Sequence, residues 1–212
     1  MLLEFRQVTG ISKKFHLEQI SFGLPLGYIM GLAGKNGAGK TTLIDYIMNP
    51  ENCYTGSILI NGVDIRKNHT KMLDEVGFVS ENHVFLLERT ARQNAELLGR
   101  FYSNWDSVVF EDAMKRMEVP ATISLNRMSR GENMKFQMAF AMAHKPVLYL
   151  LDEVTAGMDP VFRIDFFKIL QEIISTEEVS ILMTTHMQEE MERKMDYIGV
   201  LEQGKLLSFR EG

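Results

Sequence analysis

Cysteine is almost missing from this chain of 212 residues: Cys53 is the only one. That excludes an internal disulfide and any thiolate cluster, and it fits a reducing compartment. Long apolar runs are missing as well. No stretch approaches the roughly 20 apolar residues needed to cross a bilayer, so the chain itself is not expected to span a membrane. The amino-terminal Met1-Leu2-Leu3-Glu4-Phe5-Arg6-Gln7 alternates like a strand and lacks the pattern of a signal peptide. Basic charge is nowhere concentrated. The 23 Lys and Arg stand against 28 Asp and Glu, for a net charge of −5, and no dense basic block offers the footprint of a general nucleic-acid binder. Internal repeats and low-complexity segments are also absent. What is present is apolar substance: 45% of the residues, in a length that suits one domain with room for an inserted subdomain.

The segment Gly34-Lys35-Asn36-Gly37-Ala38-Gly39-Lys40-Thr41-Thr42 fits GxxxxGK[ST], the phosphate-binding P-loop. It comes after an apolar run over 28–33 and precedes a helix-like stretch over 43–48. Glycines at this spacing let the backbone curl so that successive N–H groups point at phosphate oxygens, and the helix start beyond them adds a favourable dipole. Lys40 is the mobile cation for the β and γ phosphates. The Thr41 hydroxyl is the expected ligand of Mg²⁺, which wants oxygen donors shared with the phosphates.

Up to residue 79 the pattern is mostly strand-like, the P-loop helix excepted, with a strand over 57–63 and a turn at Asn61-Gly62. From 88 to 143 the apolar period becomes helical, around 95–102, 108–117 and 134–143, which reads as a helical insertion. After Pro146 strand and helix alternate: 147–151, 161–174, 180–184, 187–194 and 198–201. Such alternation predicts an α/β fold with a parallel sheet covered by helices. The 15 methionines, several at helical spacing (Met114, Met117, Met128, Met134, Met138, Met142), read as adaptable core filler, a few of which could face a partner helix.

The buried-looking strand over 147–151 delivers Asp152 and Glu153 at its C-terminal end, where ligands bind in parallel α/β sheets. Asp152 is the candidate holder of Mg²⁺. Glu153 is placed to accept a proton from the water that attacks the γ phosphate. His186 ends another candidate strand, where a neutral imidazole can contact the same phosphate.

In this order the motifs resemble those of the ATP-binding cassette (ABC) ATPases over nearly the whole chain. Leu151-Asp152-Glu153-Val154-Thr155 resembles the family's acidic strand end, with Val154 in place of a proline that supplies no ligand. Ala156-Gly157-Met158-Asp159-Pro160 is similar to the D-loop, Thr184-Thr185-His186 to the H-loop and Val76-Gly77-Phe78-Val79-Ser80-Glu81 to the Q-loop, with Glu81 where many members carry glutamine. A glutamate there can still accept from Mg²⁺-bound water. Met128-Ser129-Arg130-Gly131-Glu132 resembles the LSGGQ signature and puts arginine at its first glycine. The resemblance implies that Ser129 and Gly131 bind the γ phosphate of ATP held by another subunit. The aromatic that stacks on adenine in many cassettes should fall near Ile11 and Ser12, where none stands, with Phe15 close by, so weak ATP-over-GTP discrimination is expected.

The implied fold is the P-loop NTPase fold of the ABC ATPases: one domain over 1–212, a mixed central sheet with an N-terminal antiparallel β-subdomain, a core of 1–81 and 144–212, and a helical subdomain over about 82–143. The implied function is Mg²⁺-dependent ATP hydrolysis that powers a transporter. Phe101-Tyr102-Ser103-Asn104-Trp105-Asp106 resembles a bacterial subgroup of small exporter-type (ABC-2-like) cassettes, often paired with separate membrane chains. The expected partners are a second ATPase subunit, identical or different, and transmembrane permease chains, at the cytoplasmic face of a membrane and without nucleic acid. A soluble ABC ATPase in cofactor assembly is the alternative. DNA-repair and chromosome-organising members usually insert long coiled coils, and the roughly 70 residues between Glu81 and Asp152 hold no sustained heptads. A small nucleotide kinase sharing only the P-loop would leave Ser129, Glu153 and His186 without a role.

Overall fold

The alternation at the amino terminus becomes antiparallel strands. The computed structural model describes residues 1–11, 16–49, 51–81, 85–155, 158–176, 178–186 and 194–212. Strand β1 (Leu3–Ile11) pairs antiparallel with β2 (His16–Leu24), in which buried and open positions alternate, and on its other side with β4 (Tyr54–Ile60). β4 turns back into β5 (Val63–Asp64) through Asn61 and Gly62, both at positive φ, the backbone that a tight two-residue hairpin turn demands. Phe5 stacks on Phe22 between the first two strands at 4.6 Å.

A second sheet has the order β10-β9-β3-β8-β7-β6. Its members are β3 (Ile29–Ala33), β6 (Val76–Ser80), β7 (Leu148–Asp152), β8 (Ser180–Thr185), β9 (Tyr197–Glu202) and β10 (Lys205–Glu211). The first five run parallel and β10 is antiparallel to β9, so the sheet is mixed. β3, β7 and β8 are buried at every position, which explains why they read as unbroken apolar runs rather than alternating ones. Their register aligns the strand ends. Ala33 lies opposite Thr185, Asp152 opposite Thr184 and Ser80 opposite Asp152, so four strands end along one line.

Among the described residues, helix α1 (Lys40–Met48) comes after the P-loop and α6 (Pro160–Thr176) after β7. Between β6 and β7 lie α3 (Ala91–Leu98), α4 (Ser107–Arg116) and α5 (Arg130–Ala143). Each start is capped: Thr90 and Gln93 form a reciprocal capping box, Asp106 accepts from two backbone N–H groups, and Ser129 and Glu132 form a second box. The inserted helices share one apolar core with the sheet, in which Ala91, Phe110 and Phe136 belong with Tyr149, Leu151 and Ile181. Met114, Met117, Met128, Met134 and Met138 are buried there and Met142 packs against it, as core filler should.

Three features differ from the sequence expectation. A short helix, α2 (His69–Asp74), stands in the region read as strand-like, nucleated where the Asn68 side chain accepts from the Lys71 N–H. The first inserted helix starts at Ala91 instead of 95, because the Thr90 cap sets its origin, and it gives way to a single 3₁₀ turn at Gly99–Phe101. The edge strand β10 has no counterpart in the expected alternation; its mostly open positions leave little apolar pattern to read. The helix expected over 187–194 lies outside the described residues except for Lys194, as do Ala156 and Gly157 of the D-loop segment and Ser12 and Phe15 near the missing aromatic.

Candidate functional site

The P-loop leaves β3 through a position that only glycine can occupy. A Cβ on Gly34 would lie 2.5 Å from the Leu201 carbonyl oxygen and 3.0 Å from the Ala38 Cβ. Gly39, at φ 108, then turns the chain into α1 in a conformation that L side chains rarely adopt. Lys35, Asn36 and Gly37 form the open rim, while Ala38, Gly39 and Lys40 are buried. Thr41 and Thr42 stand in the first turn of α1, which carries no acidic residue to offset the positive end of its dipole.

Lys40 is 3% exposed and is held from three sides. Its Nζ donates to the Gly34 carbonyl at 2.7 Å and the Lys35 carbonyl at 3.3 Å, and it lies 3.0 Å from Glu153 Oε1. A buried ammonium needs such compensation, here from two carbonyl oxygens and a carboxylate. Glu153 comes directly after β7 with φ 51, the left-handed region, a strained backbone of the kind that clusters at working sites.

Asp152 ends β7 and is buried. Its Oδ1 accepts from the Thr184 hydroxyl at 2.6 Å, and that hydroxyl oxygen accepts from the Glu153 N–H at 3.0 Å. Thr184 thus fixes both acidic residues through one side chain. Sequence reasoning placed it in the H-loop segment without giving it a role, because the register of β7 on β8 that sets it opposite Asp152 has no local signal.

The remaining expected residues surround this cluster. His186 is exposed, one residue past Thr185, whose carbonyl accepts from the Gly34 N–H at 3.3 Å, so it shares the sheet end with the P-loop. Glu81 comes directly after β6 and pairs with Arg130 at 3.0 Å. Ser129 caps α5 and is exposed, and Gly131 stands one step inside that helix. Lys40, Asp152 and Glu153 therefore form one cluster. Ser129 and Gly131 are tied to that sheet end through the Arg130–Glu81 pair.

The residues present fit a magnesium-bound triphosphate. The Thr41 hydroxyl and the Asp152 carboxylate are hard oxygen donors suited to Mg²⁺, and Lys40 offers a cation to phosphate oxygens. Among the described residues no group of three or more His, Cys, Asp or Glu is placed to hold a metal ion.

Comparison with known proteins identifies the family. Residues 17–156 match the family model described as ABC transporter. Over 206 residues the chain is 32% identical to the ABC transporter ATP-binding protein YtrB of Bacillus subtilis (strain 168), covering 97% of this chain and 70% of that protein. It is 29% identical to the bacitracin transport ATP-binding protein BcrA of Bacillus licheniformis, covering 95% and 68%. The fold matches that of a dimeric ATP-binding cassette in a post-hydrolysis state bound to ADP and Pi, with a TM-score of 0.86 at 20% identity over 99% of this chain and 98% of that one. A family match across well over half of the chain, joined to a relative at 32% identity, places this protein in the ABC transporter family, among its ATP-binding subunits.

Proposed function

We propose that this chain is the ATP-hydrolysing subunit of a bacterial exporter, docked on separately encoded membrane chains at the cytoplasmic face and working as a head-to-tail pair with ATP between the subunits. The observation that carries the reading is the convergence of Lys40, Asp152 and Glu153 at one sheet end. Lys40 binds the β and γ phosphates, which replace Glu153 as its anion. Freed from that pair, Glu153 accepts a proton from the attacking water, and His186 contacts the γ phosphate. Thr41 and Asp152 would hold Mg²⁺, with Glu81 accepting from its bound water, and the cation would supply positive charge against the phosphate oxygens. The loop Gly34, Lys35, Asn36, Gly37, Ala38 and Gly39, with Thr42, offers backbone N–H groups to the phosphates. Ser129 and Gly131 complete the partner's site.

The helices over 82–143 form the subdomain that receives the membrane chain, against a core of 1–81 and 144–212. Supporting this is an apolar groove of about 370 Å³ between α2 and the inserted helices, lined by Leu73, Phe85, Leu98, Phe101, Tyr102 and Phe140. Phe101 is 78% exposed there, an anchor of the kind that partner surfaces cover. No helix among the described residues is long and apolar enough to cross a membrane. The export direction draws on a relative named for Nod factor export.

Purification of the tagged chain from native membranes tests the reading. The expected result is a retained transmembrane protein that Phe101→Asp releases while ATP binding and thermal stability are unchanged. A chain that co-purifies only with a cytosolic scaffold overturns it.

A further inference from the structure

Two departures from the family pattern, Glu81 in the Q-loop segment and Arg130 in the signature segment, meet in space. The Arg130 guanidinium lies 3.0 Å from Glu81 Oε2, with the two side chains 38% and 58% exposed. Arg130 does not serve its own helix. It stands at the first residue of α5, where the dipole disfavours a cation, and the nearby Glu132 is already committed to the Ser129 N–H at 2.7 Å. The space beside it is open. A Cβ built on Gly131 meets nothing within 4 Å, and its φ is not positive, so neither packing nor backbone in this chain calls for glycine.

We propose that Arg130 is an additional triphosphate-binding residue of the shared site, and that Glu81 is the positioning residue that holds it while the facing site is empty. The inference rests on the head-to-tail arrangement under Proposed function. A half-exposed pair with a single short contact favours the held state by no more than about fivefold. Phosphate oxygens offer the guanidinium a bidentate, multiply charged partner, so the exchange from Glu81 to the triphosphate runs downhill once two chains meet. Arg130 thereby adds side-chain affinity at the one position where the glycine of the family pattern offers only backbone. Glu81, in turn, ties that affinity to the strand end beside Asp152.

The test is sedimentation with Mg-ATP in the Glu153→Gln background, alongside ATP titration of the single chain. Adding Arg130→Gly is expected to weaken the dimer about 100-fold, since two sites each lose a charged contact worth roughly tenfold. Arg130→Lys is expected to keep part of that, and Glu81→Gln, which releases the guanidinium, to tighten the dimer. ATP affinity of the single chain should move less than about twofold in the Arg130 variants. The double swap Glu81→Gln with Arg130→Glu separates phosphate binding from simple tethering: it keeps a hydrogen-bonded pair and an acceptor at position 81 while reversing the charge at position 130, and is expected to abolish the dimer. A swapped protein that dimerises like its parent, or an Arg130→Gly protein as tight as its parent, overturns this inference and leaves the shared site standing. A Glu153→Gln parent that stays monomeric with ATP and its membrane chains overturns both.

Discussion

Lys40 and Glu153, 113 positions apart in the chain, meet at 3.0 Å with the ammonium buried and the carboxylate 28% exposed. The P-loop cation and the acid after β7 are thus each other's partner in the isolated chain. Under the proposed function, nucleotide binding would exchange this internal anion for the terminal phosphates, and the same exchange would free the carboxylate to work on water.

Lys40→Ala is expected to weaken Mg-ATP binding by about 10- to 100-fold, the worth of a charged hydrogen-bonded contact, and to abolish turnover. Nucleotide titration and phosphate release check it. Unchanged affinity with normal hydrolysis would mean that the loop is not the site.

Glu153→Gln retains an oxygen that Lys40 can donate to, so folding and ATP binding should persist. Losing the base should lower hydrolysis by about 10² to 10⁴. The ATP-bound pair of chains should then accumulate, as sedimentation with and without Mg-ATP would show, and adding Ser129→Ala should dissolve it.

Thr184→Val removes the hydroxyl that bonds Asp152 and Glu153 at once. With Asp152 buried, the expected cost is about 1 to 3 kcal/mol of stability, seen as a lower melting temperature, together with a higher Mg²⁺ requirement for ATP hydrolysis. Thr184→Ser should restore most of both. A valine variant as stable and active as the parent would show that this hydroxyl does not organise the acidic pair.

Acid sensitivity is expected from His144 at the end of α5. Burial holds its protonation below the ordinary histidine range, against an opposing pull from the Val76 and Phe140 carbonyls and from Asp74. The unfolded chain takes up a proton near pH 6.5 that the folded chain resists. Stability is therefore full above that value and lost as pH falls toward the folded group's lower pKa, at a slope of at most about 1.4 kcal/mol per pH unit. Denaturant unfolding at pH 7.5 and pH 5.5, repeated with His144→Gln, checks it. The substitution should flatten the dependence.

Much of this molecule was open to sequence reasoning because its signals are local. The P-loop spacing, the apolar run into Asp152-Glu153 and the serine before α5 each lie within a few residues, and each reports on hydrogen bonds that the backbone makes with itself or with one near neighbour. The short α2 escaped notice because six residues carry too little periodicity to outweigh strand-like surroundings. The role of Thr184 escaped because a threonine in an apolar strand has the same local pattern whether or not a carboxylate lies opposite.

The sequence alone determined the strand-and-helix alternation, the identity of the phosphate loop and the presence of two acids at a strand end. These arise from side-chain period and from glycine placement, which act over a few residues. Only the tertiary structure decided that Lys40 rests on Glu153, that Thr184 joins Asp152 to Glu153, and that Arg130 meets Glu81. Those pairings depend on parallel strand register and on the packing of α5 beside β6, set by many burial contacts at once. No local pattern encodes which distant charge a buried ammonium will find.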